Sequence, residues 1–261
     1  MTEETGGGQG SGKPRDNISR YSSGHHFRVA LIARSRLFQT TGPLAARKSE
    51  SSTGIWSLSN IPPWSASSGA TKLTGSTETT ADLGMRISLW SGDITKLALD
   101  AIANAANAHL AGGGGVDGAI HRGAGPELNK ACLALNGCPT GQAKITPGFR
   151  LPSKYIIHCV GPVGEKPKAL QSTYQCALEL CTKHSLKSIA FPCISTGVYG
   201  YPPHAAAEVA ISTVLSYLST HKEIERVVFC VFLPEDYELY KERIPKYLAR
   251  YSVAGQCTDA T

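Results

Sequence analysis

The sequence predicts an α/β fold with a mostly parallel central sheet covered by helices on both faces. Three observations predict it. Between residues 86 and 251, short apolar runs alternate with stretches of helical spacing, the order that places successive parallel strands in one sheet. The run from Arg226 to Leu233 is too apolar to be solvated on either face, as expected of a strand buried on two sides. Two glycine-bearing loops, 112–118 and 195–200, each follow a predicted strand, and in such sheets ligands bind beyond the strand C-termini.

In chain order, Arg86 to Trp90 alternates apolar and polar residues and reads as a strand, and Ala101 to Ala106 is a short apolar strand. Val116 to Leu135 has helical spacing and ends at Asn136–Gly137, a normal helix stop. Tyr155 to Val160 is a strand closed by Gly161–Pro162, and Ala169 to His184 is a helix carrying Leu170, Tyr174, Ala177, Leu178 and Cys181 on one side. Ile189 to Ile194 is the next strand. Pro203 opens a helix running through Leu218, and Pro234 opens the last, to about Tyr251.

Composition narrows the function classes. The chain has 261 residues, a 41% hydrophobic fraction and a net charge of +6, and the charge divides evenly. Residues 1–85 carry nine Lys+Arg and six Asp+Glu, so neither part is basic enough to predict nucleic-acid binding. No apolar stretch reaches the roughly 20 residues of a membrane helix. Most of the eight cysteines lie in apolar runs such as YIIHCV and VVFCVF, which predicts buried free thiols, and His158–Cys159 reads as core packing within its strand. Without a C-x-x-C or H-x-x-x-H pair, no structural metal is expected; the further expectations are that the chain needs no cofactor and is a monomer.

The most telling segment is NAANAHLAGGGGVDGAIH at 104–121. Gly112 to Gly115 carry no side chains to block an anion, so backbone N–H groups can turn toward a phosphate, and the helix opening near Val116 adds its positive end. Asn107, Asp117 and His121 bring polar and titratable groups to the same place. Gly113, Gly115 and Gly118 also spell G-x-G-x-x-G, but the LALNGCP segment about 20 residues on has no carboxylate to hold a ribose, which argues against a nicotinamide dinucleotide site. No G-K-[S/T] follows, so a P-loop is excluded.

GDIT at 92–95, DAIANAAN at 100–107, GGGGVDGAIHRGAG at 112–125, CPTGQAKIT at 138–146, IIHCVGP at 156–162 and FPCISTGVYGYP at 191–202 together resemble the macrodomain family, in its MacroD-type branch. WSLSNIPPW at 56–64 resembles the segment that precedes the core in that branch. The resemblance implies a three-layer α/β/α sandwich with a mixed, mostly parallel central sheet. It also implies a metal-independent hydrolase that binds ADP-ribose, removes mono-ADP-ribose from acidic side chains of modified proteins and deacetylates O-acetyl-ADP-ribose. A non-catalytic ADP-ribose reader and an ADP-ribose phosphate phosphatase are the alternatives. By the same resemblance Asp93 accepts from the adenine amine, Ile94 contacts that ring through its backbone, and Phe232 stacks on it. Gly114, Gly115 and Val116 form one diphosphate wall and Ser195, Thr196, Gly197, Val198 and Tyr199 the other. Asn107 and Asp117 face the distal ribose, supported by His121, and either Asp117 or the substrate phosphate serves as base. Taken alone, Asp93 reads equally well as a helix cap, Phe232 as a core residue, and His121 as a half-buried helix histidine.

The expected organisation is a disordered tail over 1–53, an extension packing on the core over 54–85, the macrodomain over 86–251 and a second tail over 252–261. The expected location is cytoplasmic or nuclear. From Asn17 to Ser49 there is no acid, while Arg20, Arg28, Arg34, Arg36, Arg47 and Lys48 are scattered through it. That composition makes a mitochondrial destination the other option.

Overall fold

Parity along the strands decides the architecture, because successive side chains of a strand face opposite sides of its sheet. In the computed structural model, which describes residues 54–67 and 78–253, the eight strands are β1 (Trp56–Ser57), β2 (Ile87–Ser91), β3 (Leu97–Ala98), β4 (Ala101–Ala105), β5 (Ala143–Pro147), β6 (Tyr155–Cys159), β7 (Ser188–Phe191) and β8 (Arg226–Val231). The helices are α1 (Trp64–Ser67), α2 (Glu78–Arg86), α3 (Gly115–Ala124), α4 (Pro126–Ala134), α5 (Pro167–Lys183), α6 (Pro203–Thr220) and α7 (Pro234–Val253). The main sheet runs β2-β8-β7-β4-β6-β5, parallel throughout except for antiparallel β5 on the edge. This is the mixed, mostly parallel sheet of a three-layer sandwich.

One face of the sheet presents Ile87, Leu89, Ala101, Ala103, Ile157, Ile189, Phe191, Val227 and Phe229 to a core shared with α2, α5, α6 and α7. The other presents Ile102, Ile156, Ala190, Val228 and Cys230 to α3 and α4. The segment before β2 is tied to both: Ile61 is buried in the second core and Trp64 and Leu83 in the first, while β1 pairs in parallel with β3. Arg86, buried at the end of α2, donates to the carbonyls of Leu218, His221 and Ile224. The expected tail over 1–53, with its Arg-containing stretch, and residues 254–261 of the expected C-terminal tail lie outside the described residues; 252 and 253 close α7.

The structure corrects the predicted elements at four points. The helix expected over Val116–Leu135 is two helices, because Gly125 turns the chain with φ of +89° and Pro126, lacking an N–H, starts the next helix at its first position. β5 was not predicted: a five-residue edge strand carries little signal, and Pro147 at its end removes a ladder donor that an edge can spare. The strand expected to reach Ile194 ends at Phe191, where Pro192 follows. The strand expected to reach Leu233 ends at Val231, leaving Phe232 76% and Leu233 53% exposed.

Candidate active site

The C-terminal ends of β2, β4, β7 and β8 open on a cleft of about 850 Å³. One wall is the glycine run. Gly114 caps α3, Gly115 has φ of +56°, and a Cβ at either position would meet nothing within 4 Å; both glycines line the cleft. The first N–H groups of a helix have no partner within it and carry the positive end of its dipole, which suits an anion. Gly118 serves the fold: a Cβ there would fall 2.3 Å from the Gly113 carbonyl. Asn107 holds the run in place, donating from Nδ2 to Gly112 O (2.8 Å) while Oδ1 accepts from the N–H of His109 (3.0 Å).

The facing wall is Ser195 to Tyr199. Ser195 has φ of +70°, an uncommon backbone for a serine, and its Oγ is buried without a hydrogen-bond partner. The loop is closed by Tyr201 N–H to Ser195 O (3.0 Å) and Gly200 N–H to Gly197 O (2.9 Å). Gly197 is open above, and Val198 is fully exposed. Loop 160–164 buttresses this wall, since Gly164 N–H donates to Tyr199 O (2.7 Å) and a Cβ at Gly161 would strike Ser195 Oγ.

At the outer end Phe232 offers a free ring face, so an aromatic that reads as core in sequence stands in the open beside Asp93 and Ile94. Asp93 does cap the short helical turn after it: Oδ1 accepts from Thr95 N–H (2.9 Å) and Thr95 Oγ1 (2.7 Å). It lines the cleft all the same, so the cap and the ligand-facing reading coexist.

At the inner end the carboxyl of Asp117 is nearly inaccessible. Its Oδ1 accepts from Asn104 Nδ2 at 2.7 Å, and His121 Nε2 stands 3.4 Å away. Burial pushes the Asp117 carboxyl above the usual range; the Asn104 bond and the His121 charge pull the other way without overcoming it. His121 does not line the cleft but stands behind Asp117. Its Nδ1 pairs with Asn129 Oδ1 at 2.7 Å, and its Nε2 is buried and too poorly aligned with Asp117 for a hydrogen bond.

Sequence reasoning missed what lies beneath. Asn104, His158 and Thr146 form a buried polar chain leading to Asp117. His158 is wholly inaccessible, as a core residue would be, yet both its ring nitrogens are engaged. The available signal was an asparagine inside the apolar strand AIANA. The fold also brings ring nitrogens of His121 and His158 and the thiol of Cys132 within 4.8 Å of one another, a grouping no sequence spacing revealed.

A family model described as Macro domain matches residues 103–210. The chain is 50% identical over 200 residues to the bovine protein named ADP-ribose glycohydrolase MACROD1, covering 73% of this chain and 62% of that one. It is 49% identical over 202 residues to the rat protein of that name, covering 73% and 78%. The matched part spans 53% of the mouse MACROD1 protein and 36% of mouse MACROD2, so the chain spans about half the length of several of the curated relatives it matches. Among solved structures, the Trypanosoma brucei macrodomain in complex with ADP-ribose is 39% identical with a TM-score of 0.66, covering 73% of this chain and 77% of that one. The Oceanobacillus iheyensis macrodomain with ADP is 45% identical with a TM-score of 0.58, covering 63% and 92%.

Proposed function

The chain belongs to the macrodomain family, and from that premise we propose that it is a hydrolase that binds ADP-ribose in the cleft and removes it from acidic side chains of modified proteins. O-acetyl-ADP-ribose, which carries the same kind of ester, is the small-molecule counterpart. The observation that carries the proposal is a buried carboxyl at the inner end of a cleft whose two long walls are backbone. Burial that raises the pKa of that carboxyl suits it to take up a proton, a capacity that binding alone does not require.

The ligand fits the cleft by chemistry. The diphosphate lies between the N–H-rich walls at 114–116 and 195–199, adenine lies on Phe232 beside Asp93 and Ile94, and the distal ribose reaches Asn107 and Asp117. Binding those remote groups holds the ester in place and lowers the entropic cost of attack by water. The water adds its hydroxyl to the ester carbonyl carbon and passes its proton to Asp117, whose raised pKa brings it closer to a useful base at neutral pH; the bond from that carbon to the sugar oxygen then breaks, and the sugar oxygen takes the proton back from Asp117. His121 stands beside Asp117, its Nε2 3.4 Å from Oδ1, as a supporting residue. The sugar hydroxyl and the free carboxylate are the products. The names of the bovine and rat relatives and of the trypanosome complex support this reading.

The test is to incubate the full chain with a protein modified on Glu or Asp and follow free ADP-ribose. Multiple turnovers are expected. Tight binding without release would make the protein a reader, and release of inorganic phosphate from ADP-ribose phosphate alone would make it a phosphatase.

A further inference from the structure

Behind Asp117, three polar side chains run across the face of the sheet that α3 and α4 cover. Asn104 on β4 and His158 on β6 are register partners, and Thr146 on β5 lies on the same side. Asn104 and His158 are completely buried, and Thr146 is 3% exposed. Around them stand Ile102, Ile120, Leu128 and Ile156. Polar groups survive there only if bonded to one another, and they are. Asn104 Nδ2 lies 2.7 Å from Asp117 Oδ1 and 3.2 Å from His158 Nδ1, and His158 Nε2 lies 3.0 Å from Thr146 Oγ1.

Hydrogen bookkeeping along this chain has one self-consistent solution when Asp117 is ionised. Burial pushes the His158 pKa down to about 3, so at working pH the ring carries a single N–H. The amide of Asn104 has two hydrogens on Nδ2: one goes to the carboxylate and the other to His158 Nδ1, which must therefore accept. The ring proton is then on Nε2 and is donated to Thr146 Oγ1. In the opposite tautomer Nδ1 becomes a donor, and the Asn104 amide turns over to place Oδ1 between His158 and Asp117. Asp117 is then tolerated only when protonated. The observed arrangement also leaves Asn104 Oδ1 buried without a partner, a cost accepted for the sake of the amide N–H facing Asp117.

We infer that Thr146 and His158 are positioning residues for Asp117: the threonine hydroxyl accepts from Nε2–H of His158, with the Cys132 thiol the other neighbour of that nitrogen at 3.7 Å, and so supports the tautomer whose Nδ1 holds the Asn104 amide with its N–H groups toward the carboxylate. Neither residue touches the cleft. The titratable groups facing Asp117 are His121 from its own helix, Cys132 from α4 with its thiol pushed up to about 11 by burial, and His158 beyond Asn104. Only the last of these sets the orientation of the amide.

The inference rests in part on the hydrolase reading, so its test has an arm that does not. Long-range proton–nitrogen correlation spectra of the full chain should show His158 as the Nε2–H tautomer, and an Nδ1–H ring overturns the inference whatever the protein's activity. T146V keeps the shape of the threonine and removes its hydroxyl, and it should shift the ring toward Nδ1–H; T146S should not. In single-turnover hydrolysis, T146V should move the acid limb of the pH–rate profile up by about one unit, roughly a tenfold loss on that limb, while the rate on the plateau changes little. T146S should overlay the unsubstituted protein. A folded T146V whose limb stays in place sinks the inference; if T146V does not fold, the tautomer of the unsubstituted protein decides it alone.

Discussion

The two faces of the sheet are built from the same strands and do different work. Against α5, α6 and α7 the core is apolar and aromatic: Tyr174 meets Phe191 with ring centroids 5.0 Å apart, and Phe229 meets Tyr240 at 5.2 Å. Against α3 and α4 the core holds less apolar bulk and admits Asn104, Thr146, His158 and Asp117. Packing on the first face depends on volume and tolerates few gaps. On the second it depends on hydrogen-bond direction, because an amide or imidazole turned over keeps its volume and changes its chemistry. The difference teaches that tight apolar packing and the polar chain leading to Asp117 are separated here by side-chain parity, one residue apart along each strand.

Substitutions should therefore separate cleanly by face. The largest effect is expected at the cleft wall. Gly115→Glu places a negative side chain in the space reserved for the ligand, at a residue with φ of +56°, and calorimetry should find ADP-ribose binding abolished. Next, Asp117→Ala leaves that wall intact and removes the proposed proton acceptor. Turnover should fall on the order of a hundredfold or more with far less loss of affinity; wild-type hydrolysis would move the base to the substrate phosphate or His121.

On the other face the pattern reverses. Phe229→Ala opens a cavity where the ring is 1% exposed and should cost about 3–5 kcal/mol in denaturant unfolding. Its rate, measured well below its melting temperature, should stay close to that of the unsubstituted protein. A comparable loss of rate would erase the contrast between the faces.

The buried histidine predicts a smaller, pH-dependent effect. Its folded pKa of about 3 lies below the ordinary 6.5, so the unfolded chain takes up a proton first as pH falls. This contribution to stability is complete above pH 6.5 and is lost on the way down toward 3. Between pH 6.5 and 5 it amounts to about 2 kcal/mol. His158→Phe should lose correspondingly less over that interval, and equal slopes in urea titrations would contradict it. The smallest effect is expected from EDTA, which should leave hydrolysis unchanged: in the grouping of His121, Cys132 and His158, the His158 nitrogen is engaged by Thr146 and the thiol stays protonated. Activity lost to the chelator and restored by zinc would make that grouping a metal site.

Much of this was legible in the chain. The strand–helix alternation from residue 86, the glycine wall at 112–115, and Asn107 and Asp117 bracketing it are local patterns, and local patterns are what periodicity and backbone chemistry record. The same rule could have found the break between α3 and α4, since Gly125–Pro126 is a stop and a start in adjacent residues. The sequence by itself thus determined the order of the main strands and helices apart from β5 and the α3–α4 break, marked the two glycine-bearing loops as walls, and singled out Asp117 between them. Only the tertiary structure decided that β5 lies antiparallel on the edge, that Phe232 stands free, and that Asn104, Thr146 and His158 meet beneath Asp117. Periodicity says whether a side chain faces inward, but not which residue some 40 or 50 positions away it will face. That is set by strand register, and register is fixed only when the whole sheet assembles.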